Sequence, residues 1–236
     1  MSAPARPGWL RPLAHAAVGL RPQDFAGLMP SDAHGQDSAV LIALCELSAL
    51  PDWPVGARAS GDADTAGDHA VADRPTGPGV VLIERAASLR QHAGQVAFPG
   101  GATDRADRDA VATALREARE EVGLDPASAR IVATLPRCYI SRSDYVVTPV
   151  LAWWSRPHRI GVVDPTEVAR VAVAPLAELA DPANRFLVRH RSGHVGPGFR
   201  AQGLFVWGFT AILVDRLLAL GGWERDWDHD RRHDLP

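Results

Sequence analysis

Arg116-Glu117-Ala118-Arg119-Glu120-Glu121-Val122-Gly123-Leu124 is the stretch on which the reading of this chain turns. Val111, Ala114, Leu115, Ala118 and Val122 recur at helical spacing, so a helix is predicted over 109–122, with Gly123 placed to close it. On that helix Glu117, Glu120 and Glu121 stand at i, i+3 and i+4, and their carboxylates share one face. Like charges at those spacings repel by a few tenths of a kcal/mol each. Acids in a last turn also oppose the negative end of the helix macrodipole. A divalent cation reverses the balance, because clustered carboxylates are the hard oxygen ligands that Mg²⁺ or Mn²⁺ takes. Taken alone, the run fits better a solvated helix on which Arg116 and Arg119 offset the glutamates.

Upstream, Phe98-Pro99-Gly100-Gly101 changes that balance. A short strand over 95–98 ends there in a turn without side chains, which lets backbone groups approach a metal or a phosphate closely. Further out, apolar runs predict strands at 39–46, 80–85, 129–135, 146–154, 168–173 and 185–188, with a short helix at 175–179 and helical pieces within 9–28. The apolar stretch 203–222 is broken by Asp215 and Arg216. It therefore reads as a strand at 204–207 and a buried helix to about Leu220, not as a membrane span, which needs ~20 residues with few charges. Strands of both connection types around helices predict an α/β fold with a mixed sheet between helical layers. The expected organisation is an N-terminal helical extension at 1–36, a main domain at 37–222 and a charged tail at 223–236. Within the main domain, 57–79 is built almost entirely of Gly, Ala, Asp, Pro, Thr and Arg with Val71 as its one sizeable aliphatic residue, and reads as a mobile insertion.

Composition narrows the function classes. The chain has 236 residues, 46% hydrophobic and 22% charged, with a formal net charge of −3, which does not suit a nucleic-acid binder working through bulk charge. Its basic residues are all arginines, which reads as composition and not as phosphate recognition, so each arginine is judged by position. Cys45 and Cys138 show no CxxC or Cys/His metal spacing, which suits a reducing cytoplasm. The segment 1–20 carries Pro4, Pro7 and Pro12 and lacks an uninterrupted apolar core, so it does not read as a signal peptide. His229 and His233 have the spacing of a helical metal pair but sit in the charged tail, where a solvated segment is the favoured reading. Trp153-Trp154 reads as the buried end of a strand before it reads as a base-stacking platform.

The stretch from Gly101 to Leu124 resembles the Nudix box, whose pattern is Gly, five residues, Glu, seven residues, then Arg-Glu-aliphatic-x-Glu-Glu-x-Gly-aliphatic. Residues Arg116 to Leu124 match, with Ala118 as a small stand-in; Asp107 takes the place of the first Glu, and eight residues separate it from Arg116. The coenzyme A diphosphatase branch of that superfamily looks similar at this place. Its upstream motif resembles Leu89-Arg90-Gln91-His92-Ala93-Gly94-Gln95-Val96-Ala97-Phe98-Pro99-Gly100-Gly101. Two departures stand out: Ile83-Glu84-Arg85-Ala86 where the branch has Thr-x-Arg-Ser, and Ser143-Asp144-Tyr145 where it has Ser-Gly-Phe or Ser-Gly-Tyr before Val147-Thr148-Pro149-Val150.

What the resemblance implies is a Nudix-type α/β/α sandwich that hydrolyses the diphosphate bond of coenzyme A or an acyl-CoA with Mg²⁺ or Mn²⁺. Metal binding falls to Glu117 and Glu121, with Gly101 contributing backbone and Glu120 either a third ligand or the base that activates water. Arg116 and Gly123 support the structure. Arg85, Arg90, His92 and Gly100 are the substrate candidates, although a strand-end arginine paired to a surface acid and a hydrogen-bonded structural histidine are ordinary alternatives. The expected partner is a small nucleotide substrate, with no nucleic acid or membrane, and a homodimer is allowed. The competing readings keep the same machinery for ADP-ribose, a nucleoside diphosphate sugar or a damaged nucleoside triphosphate, or make the chain a nucleotide-sensing module. The complete glutamate set speaks against a sensor, which has no need of repelling carboxylates.

Overall fold

The computed structural model describes residues 5–21, 24, 35–52, 75–89, 91–141, 143–190 and 193–235. Arg90, most of the 57–79 segment and much of 1–36 lie outside the described residues. The central strand is β1 (Gln36–Glu46), and its alternation sets the layers. Ala39, Leu41, Ala43 and Cys45 face one apolar cluster, while Ile42 and Leu44 face the other.

β1 is flanked by β2 (Pro78–Arg85), β3 (Val96–Ala97), β4 (Gly100–Ala102), β5 (Ala129–Thr134), β6 (Cys138–Ile140), β7 (Tyr145–Trp154) and β8 (Val168–Pro175), which complete an eight-stranded sheet. On one side β1 runs parallel to β7 from Gln36 to Leu44. On the other side its two ends take different antiparallel partners. Leu44 to Glu46 pair with β2, and Ser38 to Val40 pair with β4. The chain crosses between them at Phe98-Pro99, where the Leu41 amide donates to the Pro99 carbonyl at 2.7 Å. This divided edge brings the glycine turn onto the middle strand of the sheet.

Helix α2 (Ala110–Val122) covers one face. Asp109 accepts from the Ala112 amide as its N-cap, and Gly123 closes it in the left-handed conformation at φ 74°. Ala114, Ala118, Val122 and Leu124 are buried against Leu41, Ala43, Val150, Ala152 and Trp154; the alanines let the helix axis lie close to the strands. Helices α1 (Arg11–Val18), α3 (Leu176–Ala180) and α4 (Gly208–Gly221) belong to the opposite layer. Leu213, Val214, Leu217 and Leu218 of α4 share that core with Leu13 and Ala17 of α1. The fold is thus an α/β/α sandwich around a mixed sheet. Among the described residues no helix is long and apolar enough to cross a membrane.

A second, four-stranded sheet adds to the expected architecture: β9 (Arg185–Arg189), β10 (Val195–Ala201), β11 (Leu204–Val206) and β12 (Arg232–Asp234), in the order β11-β10-β9-β12. β10 escapes the pattern because Gly196, Pro197 and Gly198 interrupt it. A Cβ on Gly198 would stand 2.4 Å from Val188 Cγ2 and 2.5 Å from Phe186 Cε2, so the glycine is set by tertiary contact. The C-terminal segment, charged and exposed along most of its length as composition suggested, also adds a short strand to this sheet. β12 pairs with β9, and Arg185, 1% exposed, bonds Asp215 and Glu224 and lies 4.7 Å from the Trp227 ring centre. His229 and His233 sit on no helix; they contact Trp227 and Phe186 respectively, with ring centres 4.1 and 4.4 Å apart. Trp154 is buried at the end of β7, as its position in the sequence suggested.

Because α2 carries the glutamates, its N-cap is the simplest local test of the helix. Asp109→Ala is expected to lower unfolding free energy by about 1 kcal/mol, and Asp109→Asn by much less. Urea denaturation of the two variants beside wild type measures this.

Candidate active site

The three glutamates of α2 fall into different environments although they share one face. Glu121 is 2% exposed, and its Oε2 accepts the Gly100 amide at 2.9 Å. The Glu117 side chain, 15% exposed, rests against Gly101, where an added Cβ would stand 2.5 Å from Oε1. A Cβ on Gly100 would lie 2.4 Å from the Ala39 carbonyl oxygen. Close approach therefore requires glycine at both positions. Glu120 is half-exposed, at 51% of its side chain.

Arg116 binds this group together. Its Nη1 donates to Glu117 Oε1 and to Glu120 Oε2, each at 2.9 Å, and its Nη2 donates to the Ala102 carbonyl and to Asp107 Oδ2, also at 2.9 Å. Nε adds 3.1 and 3.3 Å contacts to Asp107. The Arg116 hydrogen bonds hold the Asp107 carboxyl down to about 2, and the same bonds raise the guanidinium. Burial acts in the opposite direction on the glutamates. Desolvation pushes Glu121 up to about 8; the Gly100 amide opposes this, the Glu117 charge adds to it, Arg85 opposes it and Glu167 adds to it. Glu117 is also raised, first by burial, with Arg116 opposing. Glu167, from the loop before β8, reaches the field of both glutamates and was not singled out in the sequence.

The turn opens into a cavity of about 680 Å³. Arg85, His92, Gly100 and Gly101 line it, so four of the sequence candidates are brought together. The Gly100 amide is taken by Glu121 and so is not available to a substrate. Arg85 Nε is buried with no hydrogen-bond partner among the described residues. His92 has φ 57° and its Nδ1 lies 2.8 Å from Gln95 Oε1, so the loop fixes its ring. The sequence reading did not single out the opposite wall of the lining: Tyr139 from β6, His190 and His194 from the β9–β10 hairpin, and Trp207 and Phe209 at the start of α4. None carries a local signal, because what joins them is the apposition of two sheets.

Among the described residues no group of three or more His, Cys, Asp or Glu side chains is drawn together tightly enough to close on an ion. Glu117 and Glu120 turn to Arg116, and Glu121 turns to Gly100. The donor chemistry nevertheless fits a hard divalent cation. A carboxylate buried as deeply as Glu121, beside another raised carboxylate, is stabilised in its charged form by added positive charge. The side-chain-free Gly101 leaves backbone oxygen room to approach.

A carboxylate helix docked on a glycine turn beside a nucleotide-sized cleft is the arrangement of the Nudix hydrolases, enzymes that generally use divalent metal ions. This chain belongs to the Nudix family: the NUDIX domain model matches residues 66–193. Proteins named Uncharacterized Nudix hydrolase NudL are similar to it. That of Cronobacter sakazakii is 41% identical over 152 residues, covering 59% of this chain and 73% of its own. That of Escherichia coli K12 is 39% identical over 153 residues with the same coverage. In fold the chain is similar to the Nudix hydrolase RenU of M. smegmatis, at 17% identity and a TM-score of 0.50, covering 86% of this chain and 98% of that one.

The burial of Glu121 gives a prediction with a definite sign. Its folded pKa of about 8 lies above the ordinary carboxylate value near 4.3, so the folded state holds the proton more tightly than the unfolded state. Stability is then full below the ordinary value and is lost as pH rises toward 8. Glu121→Gln cannot ionise and keeps an oxygen for the Gly100 amide. In EDTA, its melting temperature relative to wild type is expected to rise between pH 5 and pH 8.5; an unchanged difference across that range would contradict the assignment.

Proposed function

We propose that this Nudix hydrolase cleaves the diphosphate of coenzyme A or an acyl-CoA, giving phosphopantetheine or its acylated form and adenosine 3′,5′-bisphosphate. The observation that carries the reading is the segment from Leu89 to Gly101. Its resemblance to the coenzyme A diphosphatase motif coincides with its place in the structure, where its described residues supply His92 and the glycine turn to one cavity together with Arg85. A cavity of about 680 Å³ is of the size that holds a ligand as large as a nucleotide derivative. The two buried, unpaired thiols, Cys45 and Cys138, suit a cytoplasmic setting.

In this reading Glu117 and Glu121 hold Mg²⁺ or Mn²⁺, with Glu120 and the Gly101 backbone as the further candidates. Held there, the ion would supply charge neutralisation on the diphosphate and would acidify the attacking water. The protein's own groups do the positioning. Arg116 fixes the direction of two of the carboxylates, and Asp107 fixes Arg116 in turn. Glu120, the exposed member, has room to take the proton as water oxygen bonds to phosphorus and the bridging oxygen leaves. Arg85 contributes a guanidinium that can pair with phosphate oxygens, and Gln95 orients His92 beside them.

A panel of coenzyme A, dephospho-coenzyme A, ADP-ribose and nucleoside triphosphates, each with Mg²⁺ and with Mn²⁺, tests the assignment. Coenzyme A is expected to show the highest kcat/KM, because Arg90 or Arg85, reading the 3′-phosphate, would lose its bonds in the dephospho form. Glu117→Gln and Glu121→Gln are each expected to lower turnover roughly a hundred-fold or more, as loss of several kcal/mol of metal stabilisation implies. A preference for ADP-ribose or a nucleoside triphosphate would overturn the substrate. Near-normal turnover in either variant would overturn the metal ligands.

A further inference from the structure

The cavity is larger than a diphosphate needs, and its second wall comes from the second sheet, on residues that extend past the matched stretch 66–193. Trp207, the residue before α4, and His190, at the end of β9, face each other there. Their ring centres are 6.2 Å apart and their planes 21° from parallel. Both residues are held by backbone. The His190 amide donates to the His194 carbonyl at 2.8 Å, and the Gly193 amide donates to the His190 carbonyl at 2.9 Å, so the hairpin presents His190 and His194 together. Trp207 is fixed between β11 and α4, and Thr210, one turn into that helix, donates to the Val96 carbonyl at 2.9 Å. That bond ties the aromatic wall to the strand that enters the glycine turn. Trp207 is half-buried, unlike the buried Trp153 and Trp154, which leaves its indole as lining of the cavity.

We propose that Trp207, with His190 beside it, is the stacking surface for the purine base of the substrate, a specificity element that depends on the reading of the substrate as a nucleotide diphosphate derivative. A near-parallel aromatic pair offers a flat heterocycle an outer ring face, and stacking of a base on such a face is worth about 1–3 kcal/mol. The histidine rings of the same hairpin place polar edges next to it, which a heterocycle can use and an acyl chain cannot. The remaining lining differs in kind: Ser141 and Ser143 on the β6–β7 connection and Gln95 offer hydroxyls and an amide, which suit the amide-bearing pantetheine arm. The two sheets thus divide the ligand, base to the second sheet and arm to the first.

The two product halves allow this to be tested without turnover. Binding of adenosine 3′,5′-bisphosphate and of 4′-phosphopantetheine, each in EDTA, is measured by calorimetry for wild type, Trp207→Ala and Trp207→Phe. The bisphosphate is expected to bind Trp207→Ala about 5- to 150-fold more weakly and Trp207→Phe within about three-fold of wild type. Phosphopantetheine affinity should stay unchanged, and coenzyme A hydrolysis should show the loss mainly in KM. Unchanged bisphosphate affinity in folded Trp207→Ala overturns the inference, as does a loss confined to phosphopantetheine. If Trp207→Ala does not fold, His190→Ala carries the same comparison, with a several-fold loss expected. Trp207-dependent bisphosphate binding in an enzyme that does not cleave coenzyme A would sustain the base site while removing the substrate. Coenzyme A cleavage with Trp207-independent binding would do the reverse.

Discussion

The bond between the Gly100 amide and the buried Glu121 carboxylate is the contact on which the rest of this structure depends. It joins the glutamate-bearing helix to the glycine turn, and it does so at the middle of the sheet. Gly100 can be there only because no side chain separates it from Ala39, and Gly101 only because none separates it from Glu117. Burying a carboxylate beside another is unfavourable, as the upward shift of both glutamates records. One amide and the field of Arg85 offset part of that cost. The packing of Ala114, Ala118 and Val122 under the helix holds the geometry against the remainder.

Arg116 explains how the departure from the usual box pattern is accommodated. Asp107 is a methylene shorter than the glutamate of the pattern and lies one residue further away in sequence. A local turn makes up the difference: the Asp107 amide donates to the Asp104 carbonyl at 3.0 Å, and the Asp104 amide donates to Asp107 Oδ2 at 2.9 Å. The carboxylate is thereby delivered to Arg116 with a side chain only 6% exposed. The shorter residue and the longer spacer compensate each other, and the clamp on Glu117 and Glu120 is kept.

Asp144 has a similar explanation. Its backbone lies at φ 56°, a conformation that glycine adopts freely and that Asp tolerates better than most residues. Its Oδ1 accepts from the Tyr139 hydroxyl at 2.9 Å. The acidic side chain is therefore engaged with a neighbour on the same hairpin, and Tyr139 is held at the rim of the cavity, so the substitution preserves the turn while adding a tether.

The mixed sheet between helical layers and the glutamate-bearing helix were readable because each rests on a short-range signal: apolar runs for the strands, helical spacing closed by Gly123 for α2, and a glycine pair before it. That Glu117, Glu120 and Glu121 share one helix face was readable for the same reason, since i, i+3 and i+4 on a helix are neighbours whatever the fold. β10 and β12 were not, because Gly196, Pro197 and Gly198 suppress the strand pattern in the first, and the second is a three-residue strand within a charged, largely exposed segment. Nor was the division of labour among three chemically identical glutamates, since Glu121 is buried and Glu120 exposed only through what packs around them. The aromatic wall of the cleft lay furthest from view. Trp207 and Gly100 are more than a hundred residues apart in the chain, and only the stacking of a second sheet and α4 against the first brings them to one cavity.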